Sequence, residues 1–195
     1  LTFFWVLLRS VWIKMNMTNI EGIEKSSEGI QLMTPEKRFD MLFREMYNIS
    51  MENNWGDPFS YAVSREIQIA NILGHKKADT YSGADGIDED GDCEYKSTIG
   101  EKLQGAYNGI SVQDSWEKQK EYLLKDKIGK YKNHYIVRFD GPEIVECWKM
   151  SGTVVLKTLL PKLKRQFFSD KKKKDPRLGA TLTEKEIYSN GKRII

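Results

Sequence analysis

The segment 85–96 constrains the fold of this chain more than any other, because an Asp90-Gly91 pair stands in its middle. Asp-Gly is typical of the two central residues of a type I′ turn, which joins two antiparallel strands. The pattern therefore predicts a β-hairpin. With Asp90-Gly91 as a two-residue loop, Asp88 is expected to pair with Cys93.

The register of this hairpin decides which side chains share a face of the sheet. Residues directly opposite each other share a face, and so do residues two apart along a strand. With the two-residue loop, Asp85 is opposite Lys96, and Glu94 lies two residues before Lys96. All three side chains are then expected on one face. A four-residue loop keeps this pairing, whereas a three-residue loop would move Asp85 to the other face.

The combination of Asp85, Glu94 and Lys96 indicates a particular chemistry. Mg²⁺ prefers oxygen ligands, and two carboxylates on adjacent strands can supply them. Such an ion can polarise a phosphodiester and lower the pKa of a bound water. A lysine beside the pair can orient or deprotonate the attacking water, or offset charge on the phosphate. The segment therefore predicts a Mg²⁺-dependent phosphodiester hydrolase.

A fourth candidate, Glu66, lies in a predicted second helix that begins at Asp57-Pro58 and ends at Gly74. Glu66 stands in the middle of the apolar stripe of this helix, three residues after Val63. A carboxylate that points inward costs free energy unless it is paired, neutralised or bound to a metal. A glutamate that reaches solvent at the rim of a wide helix face is the alternative interpretation.

The acidic residues of this hairpin could instead belong to an EF-hand loop or to a solvated turn. An EF-hand loop needs a glutamate at its twelfth position, but with Asp88 at the first position the twelfth is Ile99. That motif is therefore excluded. The other rival is a solvated acidic turn in which Glu94 pairs with Lys96 along the strand. We expect this description to hold for Glu89 and Asp90 at the tip.

The order of the remaining elements predicts an α/β (α+β-like) fold, a mixed β-sheet flanked by helices. The predicted elements are a first helix over 35–47, a Gly-rich connection over 100–109, a helix from Asp114, a second hairpin around Gly141-Pro142, a helix over 152–168 interrupted by Pro161, and a last element over 182–187. Cys93 and Cys147 are too few for a disulfide framework, which favours a reducing, cytoplasmic compartment. His75 and His134 stand apart in the sequence, which argues against a histidine-based site.

The charge is divided unequally between the halves of the chain. Residues 1–100 contain 10 Lys+Arg and 16 Asp+Glu, whereas residues 101–195 contain 21 and 12. The basic half is a candidate surface for a polyanion such as double-stranded DNA. The candidate contacts to phosphates or bases are Asn108, Ser111, Gln113, Lys162, Lys164, Arg165, Lys171, Lys172, Lys173, Lys174 and Arg177. A solvated or mobile charged surface is the alternative.

The run Ala84-Asp85-Gly86, followed by Cys93-Glu94-Tyr95-Lys96, resembles the bipartite motif of the PD-(D/E)xK nucleases, especially the type II restriction endonucleases. The resemblance covers residues 59–100. Ala84 stands where the family motif has a nominal proline.

This resemblance implies roles for four residues. Asp85 and Glu94 would bind Mg²⁺, Lys96 would be the catalytic lysine, and Glu66 would be the helix glutamate that completes the metal and catalytic set. It also implies a restriction-endonuclease-like core and a DNA substrate. A homodimer follows if the substrate is palindromic duplex. The alternatives are a structure-specific or repair nuclease of the same fold and a non-catalytic DNA-binding module.

The apolar N-terminal run is too short and interrupted to span a bilayer, so no membrane partner is expected. Residues 1–18 are interpreted as an over-called or extra N-terminal segment, with the natural start of the protein expected at Met15 or Met17. An amphipathic or signal-anchor helix is the alternative. Residues 19–195 are then expected to form a single nuclease domain with a basic C-terminal region.

Overall fold

The computed structural model of the chain describes residues 33–60, 62–79, 83–169 and 176–195. The chain divides into two compact units, residues 1–49 and 50–195. Most of the described part of the first unit belongs to helix α1 (Pro35–Glu52), which is longer than the helix predicted over 35–47. The segment 1–18 lies outside the described residues.

The second unit is a mixed α/β structure built on a mostly antiparallel six-stranded sheet with the strand order β1-β2-β3-β5-β6-β8. Among the described strands, β3 and β5 are the one pair that runs parallel. A second sheet pairs β4 with β7. The strands are β1 (Lys76–Lys77), β2 (Gly86–Asp88), β3 (Gly91–Thr98), β4 (Gly105–Ile110), β5 (Asn133–Asp140), β6 (Glu143–Ser151), β7 (Leu178–Leu182) and β8 (Lys192–Arg193).

Hydrophobic clusters form around the interior strands β3, β5 and β6. In one cluster, Ile69 of helix α2 (Val63–Leu73) packs with Cys93 and Val137. In the larger one, Leu159 of helix α4 (Gly152–Phe167) packs with Ile136 and residues of the second sheet. Two shorter helices, α3 (Trp116–Tyr122) and α5 (Glu184–Asn190), add Trp116 and Ile187 to this core. Cys93 and Cys147 are both buried free thiols.

The predicted hairpins are present, but the register of the first differs from the prediction. Gly86, and not Asp88, pairs with Cys93, and Glu89-Asp90 forms the two-residue loop. The side chain of Asp88 accepts a hydrogen bond from the amide of Asp90 at 2.8 Å, which closes the turn one residue earlier than the Asp-Gly pair suggests. A register shift of two residues leaves every side chain on its predicted face.

Several predicted element boundaries were wrong. Asp57-Pro58 begins a turn, in which the Asp57 carboxylate accepts the amide of Phe59 at 3.0 Å, and the helix begins only at Val63. The Gly-rich connection contains strand β4. The last element is two elements, β7 and α5, that meet at the N-cap Thr183.

The helix predicted to be interrupted at Pro161 is continuous from Gly152 to Phe167. Pro161 lacks an amide to bond the carbonyl of Lys157. Both residues are exposed, so water can satisfy that carbonyl. No helix in the described part of the chain combines the length and apolar character that crossing a membrane requires.

Gly152, the first residue of α4, tests how tightly this helix is seated. Alanine is worth about 1 kcal/mol more than glycine inside a helix. Here, however, a Cβ at Gly152 would lie 2.0 Å from the carbonyl oxygen of Tyr131. We therefore expect Gly152→Ala to lower the free energy of unfolding by about 1–3 kcal/mol, measured by urea denaturation. Gly100→Ala is the control, because its Cβ would meet only the Thr98 hydroxyl at 3.7 Å. A Gly152→Ala protein as stable as the wild type would contradict this packing.

Candidate active site

Asp85 is held at the start of the hairpin by the backbone of β3. Its amide donates to the carbonyl of Cys93 at 3.1 Å, and its carboxylate accepts the amide of Tyr95 at 2.8 Å. Burial raises the pKa of Asp85, although the positive charge of Lys96 and the hydrogen bond from Tyr95 act in the opposite direction. The carboxylate is therefore fixed in place and close enough to Lys96 for their charges to interact.

Glu94 and Lys96 alternate along β3 and form an ion pair. Their side chains are 16% and 23% exposed, so the pair is largely removed from water but still reachable. Burial raises the pKa of Glu94 to about 7; Lys96 opposes this shift, and the negative charge of Asp85 adds to it. Burial disfavours the ammonium form of Lys96, but the attraction of Glu94 and Asp85 outweighs this and raises its pKa. Lys96 is accordingly a cation at neutral pH.

Glu66 joins this group from helix α2. Its carboxylate lies 3.3 Å from the ammonium of Lys77, whose side chain is only 4% exposed. Burial raises the pKa of Glu66, and the negative charge of Asp85 raises it further, whereas Lys77 lowers it. Glu66 therefore does not reach solvent as an isolated rim residue. The prediction missed Lys77, which lies one strand away from the motif.

The buried side chains of Tyr107 and His134 lie next to Lys96. The ammonium of Lys96 lies 5.2 Å from the centre of the Tyr107 ring, and the Tyr107 hydroxyl lies 2.9 Å from Nδ1 of His134. The other ring nitrogen, Nε2, lies 2.9 Å from the carbonyl oxygen of Ile128. A carbonyl can only accept, so Nε2 carries the proton, Nδ1 accepts, and Tyr107 donates to it. Sequence reasoning missed this pair, because the two residues come from different strands.

Glu94 and Lys96 open into a cavity of about 520 Å³. This volume is within the range of about 300–1,000 Å³ that is usual for ligand-binding pockets. The other lining residues are Gly83, Ala106, Tyr107, Asn108, Ile110, Asp126, Lys127, Ile128, Lys130, Tyr131 and His134. Asn108, one of the predicted contacts to DNA, is thus among the residues that line the cavity.

Glu89 and Asp90 at the hairpin tip are exposed, as predicted, but together with Asp88 they also have a structural role. Asp88 accepts hydrogen bonds from the Asn133 amide and the Tyr135 hydroxyl, both at 2.8 Å. Asp90 accepts from Asn133 at 3.0 Å, and Glu89 lies 3.1 Å from Lys149. Burial opposes ionisation of Asp88, but the hydrogen bonds outweigh it and lower the pKa. These contacts fasten the hairpin to β5 and β6.

The other predicted DNA contacts are scattered. The carbonyl of Ser111 accepts from the side chain of Gln119 at 3.3 Å, and the amide of Gln113 donates to that same side chain at 2.9 Å. Lys162 is engaged by Glu186 at 2.6 Å. Lys164 and Arg165 are exposed on α4. The guanidinium of Arg177 lies near Gly109, and Lys171–Lys174 lie outside the described residues.

The side chains around Lys96 are of the type that binds a hard divalent cation, because such a cation prefers oxygen ligands and Glu66, Asp85 and Glu94 are carboxylates. The charges of these three carboxylates interact with one another. In arrangement, no three acidic, histidine or cysteine side chains of the described residues are grouped to hold an ion as they stand. Two of the carboxylates are instead paired with Lys96 and Lys77. Lys96 occupies one oxygen of Glu94, so a cation that took that oxygen as a ligand would displace Lys96 from it.

Comparison with known proteins adds no family to this description. No protein-family model matches the sequence, and a search of curated proteins finds no matching relative. The geometry of the site is therefore the basis for assigning a function to this chain.

His134 should give the unfolding free energy a specific pH dependence. Burial lowers its pKa to about 4 from the ordinary 6.5, and its side chain is fully buried. Between these two values the unfolded chain takes up a proton that the folded chain does not, so stability is lost as the pH falls through this window. The contribution is about 3 kcal/mol.

His134→Gln keeps a hydrogen-bonding side chain but does not titrate. We expect urea titrations at pH 7.5 and at pH 4.5 to show a smaller loss of stability for this variant than for the wild type. An equal loss in the two proteins would show that His134 does not remain neutral in the fold.

Proposed function

We propose that the chain is a Mg²⁺-dependent endonuclease that hydrolyses phosphodiester bonds in DNA and has a restriction-endonuclease-like core. The observation that carries the proposal is the meeting of Asp85, Glu94 and Lys96 on neighbouring strands, with Glu94 and Lys96 on the wall of a cavity. Glu66 approaches the same group from α2. Two free thiols are compatible with the reducing cytoplasm that we propose as its location.

Each residue has a distinct part in the proposed reaction. A water oxygen attacks phosphorus, the bond from phosphorus to the leaving oxygen breaks, and a proton passes to that oxygen. Lys96 is cationic, which suits it to orient the water and to stabilise negative charge on the phosphate, and not to act as the base. Glu94, on the same cavity wall, pairs with Lys96 through one carboxylate oxygen, and its other oxygen is suited to accept the proton of the water.

Asp85, Glu94 and Glu66 are the residues that would hold the cation. When bound, a divalent cation supplies positive charge that stabilises the developing phosphate charge and makes a nearby water more acidic. Asp85 is prepared for this role because the Tyr95 amide fixes its carboxylate. Tyr107, through its ring contact with Lys96, limits where the ammonium can move when it leaves Glu94.

Cleavage of plasmid DNA tests the proposal. The wild type should cut in Mg²⁺ and not in EDTA. Asp85→Asn, Glu94→Gln and Lys96→Met should each lower the rate by about 10²–10⁴-fold, the range usual for loss of a catalytic acid–base or charge-stabilising group. Asp92→Asn is the matched control, since Asp92 is an exposed acid of the same strand and should leave the rate unchanged.

The products separate the candidate functions. Discrete fragments indicate restriction at defined sites, and for palindromic sites they also require a two-fold dimer. Cleavage confined to flaps or junctions would instead indicate a structure-specific nuclease. Binding without any cleavage in Mg²⁺ would identify a DNA-binding module and overturn the proposal.

Cation binding can be measured without cleavage. A ligand that binds only the folded state stabilises it in proportion to the logarithm of its concentration. We expect the melting temperature of the wild type to rise with Mg²⁺ or Mn²⁺, and the rise to disappear in Asp85→Asn and Glu94→Gln but not in Asp92→Asn. The same rise in all of these proteins would place the cation elsewhere.

A further inference from the structure

The cavity wall contains two lysines that the proposed chemistry does not use, Lys127 and Lys130. Lys127 ends a single π-helical turn, Leu123–Lys127, that follows α3. The amide of Ile128 donates to the carbonyl of Leu123 at 2.9 Å, which is the five-residue spacing of a π turn. Leu123 and Ile128 are both buried in the core as a result.

The π turn determines which way Lys127 points. In a regular α-helix the residue four positions after Leu123 follows it on the same face, and that residue is Lys127. The extra residue of the π turn gives this inward position to Ile128 and leaves Lys127 exposed at the cavity. Such turns are frequent at functional sites.

The chain then turns sharply and presents Lys130. A Cβ at Gly129 would lie 2.6 Å from the carbonyl oxygen of Leu124, so only glycine fits this bend. The ammonium of Lys130 lies 4.6 Å from the ring centre of Tyr131, another cavity residue. Packing therefore defines the positions of both lysines on the cavity wall.

Their charges are not neutralised, unlike those of the lysines around them. Neighbouring lysines of this segment have carboxylate partners: Lys118 with Asp114, Lys120 with Glu117, Lys125 with Glu121, and Lys132 with Asp90. Within the described ranges, neither Lys127 nor Lys130 has a carboxylate within 4.0 Å of its ammonium. Two acidic residues line this cavity, Glu94 and Asp126, and Glu94 is already matched by Lys96. The π turn and the bend at Gly129 thus place two lysines and one aspartate, Asp126, on the cavity wall, which is a net gain of one positive charge.

We propose that Lys127 and Lys130 are the phosphate-binding wall of this cavity and hold the DNA backbone beside the scissile phosphate. The proposal rests on the proposed function, because it takes the substrate to be a nucleic acid strand. A strand that presents one phosphate to Lys96 brings its neighbouring phosphates along the same wall. Lysines recognise phosphate as point charges and do not select a sequence, so Lys127 and Lys130 contribute affinity and not base preference.

The test is equilibrium binding in EDTA, where no cleavage occurs. Fluorescence anisotropy with a labelled DNA duplex and with its single strand would be recorded over a range of salt concentrations. The variant is Lys127→Gln with Lys130→Gln. The control is Lys118→Gln with Lys125→Gln, which removes the same charge from exposed, carboxylate-paired lysines of the same segment. Circular dichroism spectra of the three proteins verify that each is folded.

Loss of two phosphate contacts has a defined signature. The slope of log K against log salt should fall by about 1.8 on duplex or about 1.4 on single strands, and binding at about 0.1 M salt should weaken roughly tenfold or more. Whichever DNA form shows the larger loss of affinity is the form that occupies the wall. The control should retain the wild-type slope.

The outcomes separate this proposal from the nuclease proposal. An unchanged slope in Lys127→Gln with Lys130→Gln, or an equal change in the control, would overturn the phosphate wall even if the wild type cleaves DNA. Failure of the wild type to bind either DNA form would overturn it as well. The predicted loss of slope in a wild-type background that never cleaves would support the wall and reject the nuclease.

Discussion

The half-buried ion pair between Glu94 and Lys96 is the interaction on which the site depends. Charges removed from water are stable only when they compensate one another, and removal of one partner of a buried pair typically costs about 3–5 kcal/mol. Here Lys96 offsets Glu94, and Lys77 offsets Glu66. The three carboxylates of Glu66, Asp85 and Glu94 thus face two ammonium groups. Burial, together with this excess of negative charge, raises the pKa of Glu94 to about 7. A cation that bound to this cluster would therefore replace a proton held by its carboxylates.

The position of β3 explains why this pair is half-buried and not exposed. β3 pairs with β2 on one side and with the parallel strand β5 on the other, so it lies inside the sheet. The hairpin tip is fastened to β5 by the hydrogen bonds of Asp88 and Asp90 with Asn133. Asp90 is exposed, as the sequence predicts, and yet together with Asp88 it holds the hairpin that contains β3.

Much of this arrangement follows from local sequence. The alternation along β3 predicted that Glu94 and Lys96 share a face, and the ion pair between them fits that expectation. The hairpin itself was predicted correctly, but its register was not, because the side chain of Asp88 caps the turn before the Asp-Gly pair. The shift of two residues did not alter the faces, so the inference about facing did not depend on the error.

What local sequence could not predict are contacts between residues distant in the chain. Lys77 reaches Glu66 from β1, and His134 reaches Tyr107 from a separate sheet. Asn133, which holds the hairpin tip, lies 45 residues after Asp88. The π turn at Leu123–Lys127 was missed because only the tertiary core reveals which of its residues must be inside. His134, which the sequence placed far from His75, lines the cavity and bonds Tyr107, whose ring lies under Lys96.

If Asp85, Glu94 and Lys96 form one cation-assisted centre, crystals of the wild type soaked in Mn²⁺ should show it by anomalous diffraction. We expect one manganese peak bonded to carboxylate oxygens of both Asp85 and Glu94, at about 2.1 Å, with Lys96 moved away from Glu94. A well-occupied peak at other ligands, with the Glu94–Lys96 pair intact, would contradict it.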